Sequence, residues 1–171
     1  DVAYLVLPDE CLSLFGPQSF LTLDAMELYP EQLPTDLTVF FGFPDVQHDK
    51  PKERHERFQP FMYVAGIEND VDWSQNSHRP TQIKMEYPLT VLDARTHKDA
   101  VCPNPSGMSG GGIWRTNINR VPLDTPWTAS HAKLIAIGTN WIDTKESITA
   151  NRIEVAVHLL AEEFRSADNL T

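Results

Sequence analysis

The sequence predicts an all-β body closed by a single C-terminal helix. Three observations carry that expectation. Short apolar runs follow one another along the chain, broken by many of its 13 prolines and 8 glycines, as strands joined by turns would be. The central stretches show alternation or buried runs, without a sustained helical period. Near the end, Ile153, Val157, Leu160 and Phe164 recur at spacings of four, three and four, with Glu162, Glu163 and Arg165 outside the stripe.

The elements follow in order. Val2, Tyr4 and Val6 alternate with Ala3, Leu5 and Leu7, so the opening strand is apolar on both faces and expected to be buried on both. A second strand spans residues 37–43 and stops at Pro44. Residues 48–57 form a charged run. Asp49, Glu53 and Glu56 interleave with its bases, which favours a solvated hairpin loop over a phosphate patch. Residues 58–67 read as a strand, followed by a polar loop through His78 and Arg79. Further strands are expected at 82–87, 89–93, 112–115 and 133–141, with a last short one at 152–154 before the helix.

The 171 residues carry 14 Lys and Arg against 24 Asp and Glu, a net charge of −10. That balance argues against a nucleic-acid partner, which needs clustered bases. No apolar run approaches the about 18–20 residues of a membrane-spanning helix, so no membrane partner is expected. Cys11 and Cys102 lie 91 positions apart and fit no metal or redox motif. Free thiols in a reducing compartment are the simpler reading than a disulfide, which points to the cytoplasm without assigning a compartment. Histidines and carboxylates show no ligand spacing, so neither metal nor cofactor is expected.

Residues 103–114, Pro-Asn-Pro-Ser-Gly-Met-Ser-Gly-Gly-Gly-Ile-Trp, carry the most chemistry. A turn this poor in side chains can expose the Ser109 hydroxyl and aim backbone N–H groups at one point. Acyl transfer needs both a nucleophile and donors for the developing oxyanion. By itself the segment fits a structural loop equally well.

Two families use a Gly-x-Ser-x-Gly pattern. In α/β-hydrolases the serine sits between a buried strand and a helix. Pro103 and Pro105 break any such strand, and Gly-Gly-Ile-Trp-Arg does not read as a helix. The second family is the chymotrypsin-like (trypsin-like) serine proteases, and here several segments agree. Gly107-Met108-Ser109-Gly110-Gly111 resembles their Gly-x-Ser-Gly-Gly nucleophile loop. Asp1-Val2-Ala3-Tyr4-Leu5 resembles their Asp-Ile-Ala-Leu-Leu segment. Residues 37–44, ending Gly42-Phe43-Pro44, resemble the strand ending Gly-x-Pro of bacterial, HtrA-like members. Residues 134–141 are similar to the strand after the serine, and 153–164 to the segment entering the terminal helix.

The resemblance implies a chymotrypsin-like double β-barrel with a C-terminal helix. Residues 1–45 would be the remainder of the first barrel, and 46–171 the second barrel with its closing helix. It implies a serine endopeptidase acting on polypeptide substrates, with Ser109 as nucleophile and the N–H groups of Gly107 and Ser109 as oxyanion hole. Asp1 would orient the catalytic histidine; outside this family it would read as a plain terminal carboxylate. Thr139, Asn140 and Trp141 would pair with substrate as a strand, with the Thr139 hydroxyl near the aspartate. Met108 stands where the digestive enzymes have an aspartate, so their zymogen ion pair is not expected. Pro103 occupies the place of trypsin's pocket aspartate, which implies a small or apolar cleavage-site residue rather than Arg or Lys.

A serine needs a general base, and in this family the histidine precedes the aspartate. His48, His55, His78, His97, His131 and His158 all follow Asp1 and read as surface or core residues. The base is therefore expected in an upstream segment that carries the rest of the first barrel, roughly fifty to one hundred residues by ordinary domain sizes. The alternative function is a protease-fold module without catalysis, a peptide-binding or scaffold unit.

Overall fold

The computed structural model describes residues 21–31, 35–44, 48–49, 57–58, 60–67, 81–142 and 146–168. Asp1 and the opening strand lie outside them. The described chain is mostly β with one C-terminal helix. Six strands form one antiparallel sheet: β1 (Thr38–Gly42), β4 (Phe61–Ala65), β5 (Gln82–Glu86), β8 (Gly112–Arg115), β9 (Lys133–Ile142) and β10 (Ser147–Arg152). Their spatial order is β4-β1-β8-β9-β10-β5. Two hairpins stand outside it. One pairs β2 (His48–Asp49) with β3 (Arg57–Phe58), and the other pairs β6 (Thr90–Leu92) with β7 (Asp99–Val101).

The sheet curls until its edge strands meet. Ile67, just past β4, bridges Met85 of β5. Thr38 is fully buried, and its hydroxyl donates to the Ala65 carbonyl at 2.6 Å, so a polar side chain sits inside without an orphaned group. The rings of Tyr63 and Tyr87 meet edge to face, 5.1 Å apart. Inside the curl lies the core: Phe40, Met85, Ile113, Ile135, Ile148 and their neighbours, with Met108 among them. β1 lies before residue 45, yet both its partners, β4 and β8, lie after it.

Most strands fall where alternation predicts them, and three differences have physical causes. The expected strand 58–67 is split at Pro60, which has no N–H for the ladder; Phe58 pairs with His48 instead. β7 is three residues long, too short for a legible period. The strand expected at 152–154 begins at Ser147, and Ile153 and Glu154 already belong to α1 (Ile153–Asp168). Ser147-Ile148-Thr149-Ala150 alternates polar and apolar, but only Ile148 is a large apolar residue, so the signal is weak although all four are buried. The charged run begins in β2 and ends in β3, which pair antiparallel, while residues 50–56 between them lie outside the described residues.

The helix packs on β9 and β10. Ile153 is buried, Val157 and Leu160 are half-buried, and Phe164 is exposed, so the apolar stripe is used at one end only. Elsewhere, Glu27, Glu31 and Asp36 are tied to the sheet through Arg115. Arg115, fully buried, contacts the carboxylates of Glu27 at 3.0 Å and Asp36 at 3.2 Å. It also donates to the Glu31 carbonyl at 2.5 Å. Glu27 N–H bonds the Leu134 carbonyl at 3.0 Å, beside a bridge between Met26 and Leu134.

Candidate active site

The loop from Cys102 to β8 is built as two consecutive turns that share Met108. Met108 N–H bonds the Pro105 carbonyl and Gly111 N–H bonds the Met108 carbonyl, both at 2.9 Å. The third position of each turn is a glycine with positive φ, Gly107 at 87° and Gly110 at 90°. A type II turn demands that conformation, and only glycine adopts it freely. This explains why the motif spaces its glycines three apart. Met108 points down into the core, 2 % exposed, and pins the junction. Ser109, the next residue, is thereby turned outward and is exposed.

The rest of the loop is anchored at both ends. The Tyr87 hydroxyl donates to the Pro103 carbonyl at 2.7 Å, and Cys102 N–H bonds the Leu89 carbonyl at 2.8 Å. Burial pushes the Tyr87 hydroxyl up in pKa, reinforced by the neighbouring Cys102, and burial also raises the Cys102 thiol. Both are thus held neutral, as structural groups. At the other end, Gly110 N–H bonds the Gly138 carbonyl and Gly138 N–H returns a bond to Gly111, both at 2.8 Å. The N–H groups of Gly107 and Ser109, by contrast, find no acceptor among the described residues. They are the two donors that the family resemblance assigns to an oxyanion.

β9 completes the site. β8 starts at Gly112, opposite Ile137, so the end of β9 extends past it. The segment after Gly138 therefore has no β8 partner and runs beside the Ser109 loop. The Ser109 hydroxyl donates to the Thr139 carbonyl at 3.3 Å. A small hollow of about 20 Å³ opens there, lined by Ser109, Thr139, Asn140 and Trp141, with Pro105 and Ile148 closing it. The structure thus brings Ser109 and residues 139–141 together. Pro103 does not line the hollow; its place is taken by Pro105, two residues on. The Thr139 hydroxyl donates to the Thr149 carbonyl at 3.2 Å.

A second, larger hollow of about 330 Å³ lies on the other side of Ser109, between the loop and Phe41, Gly42 and Phe43 of the β1 end. Sequence reading did not single out these two phenylalanines. Their signal was an apolar pair flanking a glycine at a strand end.

Among the described residues, no histidine lines either hollow. His97 sits in the β6–β7 turn with φ 54°, His131 is engaged by Thr128, and His158 lies 3.2 Å from Glu162 on the helix. Asp1, His55 and His78 fall outside the described residues, as does the side chain of His48. Among the described residues, no three histidine, cysteine or carboxylate side chains gather as a metal site, and no helix is long and apolar enough to cross a membrane. Comparison with protein-family models, curated proteins and solved structures returns no match.

Proposed function

We propose that this chain is a serine endopeptidase domain of the chymotrypsin-like kind, hydrolysing peptide bonds through an acyl-enzyme at Ser109. One observation carries the reading. The loop ties up the N–H groups of Met108, Gly110 and Gly111, while those of Gly107 and Ser109 have no acceptor among the described residues, on either side of a buried Met108 and next to an exposed hydroxyl. Unpaired backbone donors are costly unless water or a ligand meets them. A developing oxyanion is such a ligand.

On this reading a histidine from outside the described residues takes the hydroxyl proton as Ser109 Oγ attacks the scissile carbonyl. Gly107 and Ser109 N–H groups hold the resulting oxyanion, and the same histidine protonates the departing amine. Asp1 orients that histidine. Water then attacks the acyl-enzyme with the histidine again as base, releasing the acid and restoring Ser109. The substrate's acyl part lies along residues 139–141 of β9, an edge open to strand addition. The curled sheet is the second barrel of the family's double barrel. The small hollow admits only a small side chain at the cleavage site, since Pro105 and Ile148 fill the rest.

A second reading is a peptide-binding module without chemistry. It is favoured by the Ser109 hydroxyl having a carbonyl as its one hydrogen-bond partner, with no histidine among the residues around it. A fluorophosphonate probe on the intact protein separates the two. Labelling at Ser109, located by peptide mass and lost in Ser109→Ala, supports the enzyme. A folded protein that resists labelling supports the module.

A further inference from the structure

We propose that the hollow between β1 and the Ser109 loop is a subsite for an aromatic or large aliphatic side chain on the leaving-group side of the scissile bond. The proposal rests on the acyl-enzyme reading above and adds a substrate preference to it. The two hollows meet at Ser109: among the described residues they share only Met108 and Ser109, one being otherwise walled from the side of β9 and β10 and the other from the end of β1 and the loop glycines. An extended peptide crossing Ser109 has its acyl half on one side and its leaving half on the other. With residues 139–141 taking the acyl half, the β1 hollow faces the leaving half.

Size and chemistry then select the occupant. The acyl-side hollow is about 20 Å³ and the β1 hollow about 330 Å³, so bulk fits only on the leaving side. The larger value lies at the lower end of the ~300–1,000 Å³ of small-ligand sites. Among the described residues, no charged one lines it. Its walls are Phe41 and Phe43, 39 % and 45 % exposed, with rings 5.7 Å apart in an edge-to-face arrangement. Their exposed ring surface offers an apolar wall to an aromatic or branched side chain. Met62 pairs with Phe41 across β1 and β4 and is 64 % exposed, continuing the apolar surface. The floor is bare backbone. A Cβ on Gly111 would lie 2.6 Å from the Phe41 carbonyl oxygen, so the loop approaches β1 as closely as backbone allows.

Acyl-transfer partitioning tests this on the intact protein. A peptidyl-alanine nitrophenyl ester acylates Ser109, and amino-acid amides compete with water for the acyl group. The amide's amine nitrogen attacks the ester carbonyl; the C–N bond forms and the bond to Ser109 Oγ breaks. The amine proton passes through the general-base histidine to Oγ. The ratio of transfer to hydrolysis is read within one acyl-enzyme, so it is independent of how fast the acyl-enzyme forms. Phenylalanine and leucine amides should partition at least about tenfold better than glycine amide, the scale of one apolar pocket contact. Phe41→Ala and Phe43→Ala should each cut that preference several-fold. Equal partitioning of glycine, lysine and phenylalanine amides overturns the subsite while leaving the acyl-enzyme intact. A preference that survives both substitutions overturns it too. Failure to acylate at all overturns the underlying reading, and the subsite with it.

Discussion

The Ser109 hydroxyl donates to the backbone carbonyl of Thr139 across 3.3 Å. That is long for a hydroxyl donor, whose bonds cluster near ~2.7–2.8 Å, so the hydroxyl is held lightly. The contact points Ser109 at the β9 edge, where an acyl group would lie, and a stronger acceptor can displace it. Ser109→Ala therefore separates chemistry from stability. Fluorophosphonate labelling and peptide hydrolysis should vanish, while unfolding free energy in urea changes by no more than about 0.5 kcal/mol, as for other exposed substitutions. A large loss of stability would make Ser109 a structural residue instead.

The glycines of the loop differ from those elsewhere in a way that substitution reveals. A Cβ on Gly111 would sit 2.6 Å from the Phe41 carbonyl and 2.9 Å from the Met108 carbonyl. Both are backbone atoms, so the loop must move away from β1. Gly111→Ala should cost about 1–3 kcal/mol, the scale of overpacking, and slow labelling of Ser109 as well. Gly66 is exposed with nothing within 4 Å of its would-be Cβ. Gly66→Ala should be neutral or stabilising by up to about 1 kcal/mol, through the unfolded chain. Urea midpoints and labelling rates for the pair give the comparison.

The turn-forming glycines were legible in the sequence because a positive φ leaves few residue choices, and Gly107 and Gly110 announce both turns. β1, β5, β8 and β9 were legible because each carries enough alternating or apolar residues to display its period. β10 was misplaced because its alternating Ser147-Ile148-Thr149-Ala150 carries only one large apolar residue, too faint a period to stand out. Pairing partners were the least legible part. Phe41 and Gly111 are seventy positions apart, and nothing local reports that their backbones touch. For the same reason Phe43 did not stand out as a neighbour of Ser109, and Pro103 was chosen over Pro105 by counting back from the serine.

Arg115 is the one residue in β8 whose burial runs against its charge. Its guanidinium is fully enclosed, with Glu27 at 3.0 Å, Asp36 at 3.2 Å and the Glu31 carbonyl as partners. Desolvating these ions costs most of what their attraction returns, but removing one leaves the others uncompensated. Arg115→Met should lose about 3–5 kcal/mol, because buried Asp36 loses its cation at 3.2 Å and Arg120 stands farther off, at 3.8 Å. Arg115→Lys should rescue little, since one ammonium cannot reproduce the forked contacts. Hydrogen exchange should quicken at the Glu27 amide, which bonds Leu134, before it does in β9. Unchanged protection there would show that the charges do not hold Glu27 and its neighbours to the sheet.

Alkaline pH should unfold the protein through its two stacked phenols. Burial, followed by the nearby Cys102 and Glu86, pushes Tyr63 from 10.0 up to about 12, and Tyr87 is displaced in the same direction. The protonated phenol is the form the fold prefers, so the unfolded chain releases these protons first. Between about pH 10 and 12 the unfolded state then binds fewer protons than the native state, and stability falls as pH rises. Below pH 10 both states keep the phenols protonated and this contribution is level. Urea midpoints should therefore hold steady to about pH 9.5 and decline beyond it, with native absorbance at 295 nm rising only as unfolding begins. Tyr63→Phe keeps the ring contact at 5.1 Å and removes one titrating proton, so its decline should be shallower. Identical slopes for the two proteins would show that Tyr63 already ionises freely in the folded state.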